Sequence, residues 1–197
     1  MYEPNMRILR PSRRKLRPGD VFALKPDECY LFGRVIYTDM PAGPMGPGSN
    51  LIYLYDARAN TETPDLSALV TDRLLIPPQI INRLPWSRGY LMTVHHADLQ
   101  PGDVLLDHCF FDSARRRHVG LDGKPRDAGF EPCGRWGLNS FASLDEPSSR
   151  DPPGTRLSKQ SRLSGPGRSR TRGTITERAT RSCWVGPSVR GQRLGAK

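Results

Sequence analysis

The stretch RPGDVFALKPDECYLFGRVIY, Arg17 to Tyr37, decides the fold. Pro18-Gly19-Asp20 is a turn signal, and Val21 to Leu24 follows it as a short apolar strand. Lys25 to Glu28 is a polar turn, after which Cys29 to Tyr37 resumes as a longer run of aromatic and β-branched residues. Two such runs around a four-residue turn predict a β-hairpin. Gly33, inside the second run, predicts a bulge or a bend. The combination suits a small, strongly bent antiparallel sheet with an SH3-like start.

Working outward, Pro41 to Gly48 (PAGPMGPG) is a loop that neither helix nor central strand tolerates. Leu51 to Tyr55 reads as a buried strand. Pro64 to Val70 reads as a short helix, with Thr63 or Asp65 as its cap and Leu66, Leu69 and Val70 on one face. Leu74–Ile76 and Ile80–Ile81 flank Pro77-Pro78 and read as short extended pieces with an edge or a kink between them. Trp86 to Val94 reads as a further strand. Pro101-Gly102-Asp103 repeats the opening device, a turn leading into Val104 to Leu106. His108 to Phe111 and His118 to Leu121 flank a charged turn, and Trp136 closes the last segment with core character. Short strands with one or two short helices make a domain of α+β class, mainly β, from residue 18 to 145.

Charge divides the chain differently. The 30 Lys and Arg outnumber the 20 Asp and Glu, a net +10 that on its own describes a binder of nucleic acid. Residues 1–17 carry +5 and read as a basic flexible arm, residues 146–197 carry +9, and residues 18–145 hold twelve basic and sixteen acidic residues, a net −4. From Glu146 onward Arg, Ser, Gly and Pro dominate and apolar residues lack periodicity, so the tail is expected to be disordered. No run of 18 apolar residues occurs and the basic N-terminus leads into no apolar signal core, so a cytoplasmic chain without a membrane span is expected. The four cysteines, without a CxxC pair, are expected to be idle thiols there.

Candidate chemistry is thin. No motif for a P-loop, a dinucleotide fold, a nucleophile elbow or a zinc protease occurs. His95 and His96 are adjacent, as are His108 and Cys109, so on strands they point to opposite faces, and no metal site or cofactor is expected. Cys109 with His95 or His118 is the one nucleophile pair worth naming, but Cys109 sits in an apolar run where a thiolate is disfavoured. No enzyme is expected. Asp56, Glu62, Asp65 and Asp72 fall together after a buried strand and suit a basic protein partner. Trp86 is a candidate anchor, since Trp, Tyr and Arg dominate interface hot spots.

In order along the chain, RPGDVFAL (17–24), YLFGRVIY (30–37), LIYLYD (51–56), PDL (64–66), INRLPWSRGYLMTV (81–94), HCFF (108–111) and RWGLNS (135–140) resemble the immunity protein 26 family of bacterial polymorphic toxin systems, over about residues 16–145. The most specific pieces are PGDVFA with FGRV, and the segment carried by Asn82, Arg83, Leu84, Pro85, Trp86, Arg88, Gly89 and Tyr90. The resemblance implies a cytoplasmic, non-enzymatic protein that binds and neutralises a cognate toxin. It supplies no catalytic residues. The carboxylates Asp56, Glu62, Asp65 and Asp72 together with Trp86 are therefore the expected partner contacts, and charge points to a basic nuclease as the toxin. The rival expectation is a nucleic-acid-binding module using the two basic termini. Beyond Ser140 the resemblance implies an amphipathic continuation that Pro147, Pro152 and Pro153 forbid, which is what a shifted reading frame after about Leu144 produces.

Overall fold

A computed structural model describes residues 6–139 apart from 27, 42 and 45. Among the described residues, eight strands form two sheets. Strands β1 (Asp20–Leu24), β2 (Tyr30–Tyr37), β3 (Asn50–Ala59), β4 (Leu74–Ile81) and β5 (Met92–His96) build the larger, antiparallel sheet in the order β4-β3-β2-β1-β5. Strands β6 (Cys109–Asp112), β7 (Arg117–Val119) and β8 (Cys133–Arg135) build the smaller, in the order β7-β6-β8. The helical elements are one-turn α1 (Leu84–Ser87) and three single 3-10 turns. The mainly β expectation holds, with one departure: β8 pairs parallel to β6.

The opening hairpin forms as read, with Val21 opposite Arg34, Phe22 opposite Gly33, and Leu24 opposite Leu31. Both faces of β1, β2 and most of β3 are buried, which explains why their sequences run apolar instead of alternating. One face carries Phe22, Leu24, Leu31, Val35, Ile52 and Leu54 and is covered by Trp86, Leu91, Met6 and Leu16. The other carries Val21, Ala23, Phe32, Ile36, Tyr53 and Tyr55 and is covered by Leu69, Phe110 and Val119. The small sheet therefore lies over one side of the large sheet, and α1 with the N-terminal segment lies over the other.

Gly33 has a reason in packing. A Cβ there would fall into the Phe22 ring and within 2.5 Å of the Tyr53 carbonyl oxygen. The Phe22 ring occupies the room a side chain would take, and Trp86 meets it edge-on with ring centroids 5.3 Å apart. The bulges of β2 fall beside the glycine, between Leu31 and Phe32 and between Val35 and Tyr37.

Several local expectations change. Trp86 does not open a strand: Pro85 begins a helical turn, as proline does at a helix start, and β5 starts only at Met92. Gly89, at φ +84, turns the chain out of α1. Pro77-Pro78 does not split β4; it sits within this edge strand, where the register with β3 shifts. Asp65 caps its 3-10 turn as expected, accepting from the Ser67 amide. The second Pro-Gly-Asp forms a 3-10 turn whose Asp103 accepts from the Gln100 amide, and no strand follows. Residues 6–17, read above as part of a flexible arm, bury Met6 and Leu16. Their backbone is tied to the domain by Arg7 N–H to Lys25 O, Leu9 N–H to Gly89 O and Ser12 N–H to Trp86 O. The tail beyond 145, expected to be disordered, lies outside the described residues.

In the β6–β7 hairpin the buried Asp112 carboxylate accepts from the Arg115 guanidinium and from the Ala114 and Arg115 amides. These donors, the Arg115 side chain foremost, hold its pKa below the ordinary 3.8. The stabilisation is complete above that value and is lost as pH falls through the folded-state pKa. In thermal melts below about pH 4, Asp112→Asn will flatten the acid loss of Tm relative to the parent. Gly33→Ala will lower stability by about 2 kcal/mol or more, a fall in Tm of roughly 5–10 °C in a thermal melt.

Candidate functional site

The four carboxylates singled out in the sequence stay on the surface. Asp56 lies on β3, its side chain 57% exposed and its Oδ1 3.6 Å from Arg58. Glu62 is exposed in the following loop and accepts from the Tyr30 hydroxyl at 3.3 Å. Asp65 accepts from the Ser67 hydroxyl at 2.6 Å and amide at 3.0 Å, donors that hold its pKa below the ordinary value. Asp72 is exposed in the next 3-10 turn, and the neighbouring Arg73 donates to the Asp56 carbonyl oxygen at 2.8 Å, tying that turn back to β3. Leu66 and Val70, both exposed apolar side chains, lie between them in sequence.

Trp86 is not a surface anchor. Only 1% of it is exposed, and it stands edge-on to Phe22 in the core. The sequence signal was correct in weight but wrong in side: a Trp flanked by Arg83 and Arg88 reads as a hot spot, yet a helical turn directs flanking residues outward while the ring goes in.

The interior between the sheets is polar in places. Arg34 on β2 is buried, with Nη1 2.6 Å from Asp103 Oδ2. This is an ion pair by distance without an aligned N–H bond, and Nε has no partner either. The Tyr53 hydroxyl is hydrogen-bonded to His108 Nε2 at 2.6 Å and accepts from the Leu105 amide at 3.2 Å. Burial pushes Tyr53 up to about 12 and raises Tyr55 further, while burial lowers His108 and keeps its ring neutral. At the start of β1 the buried Asp20 carboxylate faces His96 Nδ1 at 2.9 Å, Arg14 at 3.5 Å and Arg17 at 3.6 Å. Two basic residues of the N-terminal segment are thus directed at a carboxylate of the domain, which weakens the case for that segment as one of two nucleic-acid-binding termini.

One grouping was missed. The ligand atoms of Cys109, His118 and Cys133 lie within 4.8 Å of one another, and the two sulfurs are 3.1 Å apart. Burial, then the neighbouring Cys109, push the Cys133 thiol up to about 12, so Cys133 is unsuited to nucleophilic attack at neutral pH. His108 and Cys109 are adjacent and do not share a face, and the partners of Cys109 come from two other strands. Cys133 carried no local signal, standing alone after Glu131-Pro132.

A family model described as Immunity protein 26 matches residues 17–118, from the turn before β1 to His118 of β7. The chain belongs to the immunity protein 26 family. Comparisons with curated proteins and with solved structures give no match. Membership supports an immunity role in a toxin system, with a toxin in general as the partner, and the family implies a non-catalytic role. Among the described residues no helix is long and apolar enough to cross a membrane. The segment of this immunity protein that most resembled the family now has a physical account. Pro85 starts the turn, Trp86 fills the core, and Gly89 turns the chain closely against Pro11 and Ile8, where a Cβ would come within 2.9 Å of Pro11.

Trp86→Ala will therefore act on the fold. It will cost about 3–5 kcal/mol in a denaturant titration, as removal of a large buried aromatic does.

Proposed function

We propose that this immunity protein acts in the cytoplasm and neutralises a cognate toxin of a polymorphic toxin system, a basic nuclease domain, by docking it on the segment from Asp56 to Asp72. The observation that carries the reading is the exposure of Asp56, Glu62, Asp65 and Asp72 on one continuous segment, around the exposed apolar side chains of Leu66 and Val70. An apolar centre with a charged rim is how protein interfaces are commonly built. A carboxylate rim would steer a cationic nuclease onto the surface and occupy the groove that its phosphate substrate needs. The net −4 of residues 18–145 favours a cationic protein over a phosphate backbone. Hydrogen bonds to Tyr30 and Ser67 fix Glu62 and Asp65, so part of the charge pattern is set before binding.

The test is a charge reversal. The toxin encoded beside the gene is co-expressed with the immunity protein, and their association rate is measured against salt. The fourfold variant Asp56→Lys, Glu62→Lys, Asp65→Lys, Asp72→Lys will keep its far-ultraviolet spectrum, lose neutralisation, and slow association at low salt by about tenfold or more. A variant that associates and protects as the parent does would overturn the reading.

A further inference from the structure

Cys109, His118 and Cys133 come one from each strand of the small sheet. Cys109 is directly opposite Cys133 in the β6–β8 register, and His118 is opposite Phe111, two residues along from Cys109. All three therefore share one face. Phe110, Val119 and Gly134 project from the other face, where Phe110 and Val119 join the core against the large sheet and Gly134 closes on the Pro78 carbonyl. The two thiols and the imidazole thus gather on the side turned away from the large sheet, where solvated polar side chains are the ordinary choice.

Cys109 is nevertheless completely buried there. Beside it the chain from 120 to 132 passes so near His118 that a Cβ at Gly129 would come within 2.4 Å of the His118 ring. That chain brings only two large apolar side chains, Leu121 and Phe130, and Phe130 is 38% exposed beneath the Arg126 guanidinium. Strands of four, three and three residues beside such a chain bury little apolar surface of their own. Small units with so little core are commonly held by a metal or a disulfide.

We propose that Cys109, Cys133 and His118 bind a zinc-class divalent cation that pins β8 and the 120–132 chain to the β6–β7 hairpin. Two thiolates and a neutral imidazole balance the charge of a divalent ion, and soft sulfur with imidazole nitrogen selects zinc over magnesium or calcium. Two sulfurs at about 2.3 Å from one tetrahedral ion stand about 3.8 Å apart, whereas a disulfide needs about 2.05 Å. The 3.1 Å between these sulfurs lies between the two, so a small opening admits the ion. The imidazole decides between them: a disulfide has no use for a third ligand, and a metal does. Three protein ligands leave one tetrahedral position for water.

The experiment uses the full-length chain, purified under reducing conditions and titrated with Zn²⁺ and, separately, with Co²⁺. The expected result is one equivalent of zinc per chain, a Tm raised by roughly 5 °C or more at hundredfold excess over Kd, and a thiolate-to-cobalt charge-transfer band with tetrahedral d–d absorption. Cys133→Ser and His118→Ala will each weaken zinc binding at least about tenfold and change the cobalt spectrum. The double variant Cys29→Ser, Cys183→Ser will keep both signals, and far-ultraviolet circular dichroism will check that every variant is folded. Three results would each overturn the proposal: substoichiometric zinc in the parent, a cobalt spectrum indifferent to Cys133→Ser and His118→Ala, or a Cys109–Cys133 disulfide that forms in preference to the zinc complex when zinc and air are both present.

Discussion

The ring of Phe22 resting in the space over Gly33 is the contact on which the larger sheet depends. It sets the closest approach of β1 and β2 on one face, and it offers an edge for Trp86 to pack against. Trp86 in turn reaches that position because Pro85 starts a single helical turn and Gly89 ends it in the left-handed region. The same turn receives the N-terminal segment: Ser12 bonds to the Trp86 carbonyl and Leu9 to that of Gly89. Two family-like segments more than forty residues apart in sequence thus describe one packing unit, and each is intelligible only with the other present.

Much of this was legible in the sequence. The hairpin from Asp20 to Tyr37, the buried strand from Leu51, the Asp65 cap and the β6–β7 hairpin all follow from patterns within ten or so residues, where turn chemistry and side-chain period act directly. What escaped was long-range. Trp86 looked like a surface anchor because its neighbours are charged, and only the Phe22 partner, sixty-four positions earlier, turns it inward. Met6 and Leu16 looked like spacers in a basic arm, and the groove beside α1 that buries them is invisible until the sheet exists. The grouping of Cys109, His118 and Cys133 depends on β8 pairing parallel to β6, and no spacing rule links position 109 to position 133 across a turn-rich connection.

The placement of the two sheets also separates tasks within the molecule. The middle strands of the large sheet are covered on both faces, so their side chains hold the fold and have no area left for a partner. The surface proposed above for docking is the far end of β3 with the two 3-10 turns after it, where Asp56, Leu66, Val70 and Asp72 stand clear of the core. A surface mounted at the end of a rigid sheet varies in charge without disturbing what lies beneath. That freedom suits the docking role proposed for it.

The paired prolines of β4 have a further consequence. β4 is an edge of the large sheet, and successive residues on a strand direct their N–H groups to opposite sides. Pro77 and Pro78 therefore remove one donor from the ladder with β3, where the register slips, and one from the open side. An incoming strand finds a gap in the row of amides it needs, and the Pro78 carbonyl is already crowded by Gly134 of β8. The two prolines thus make this edge a poor template for self-association by strand addition.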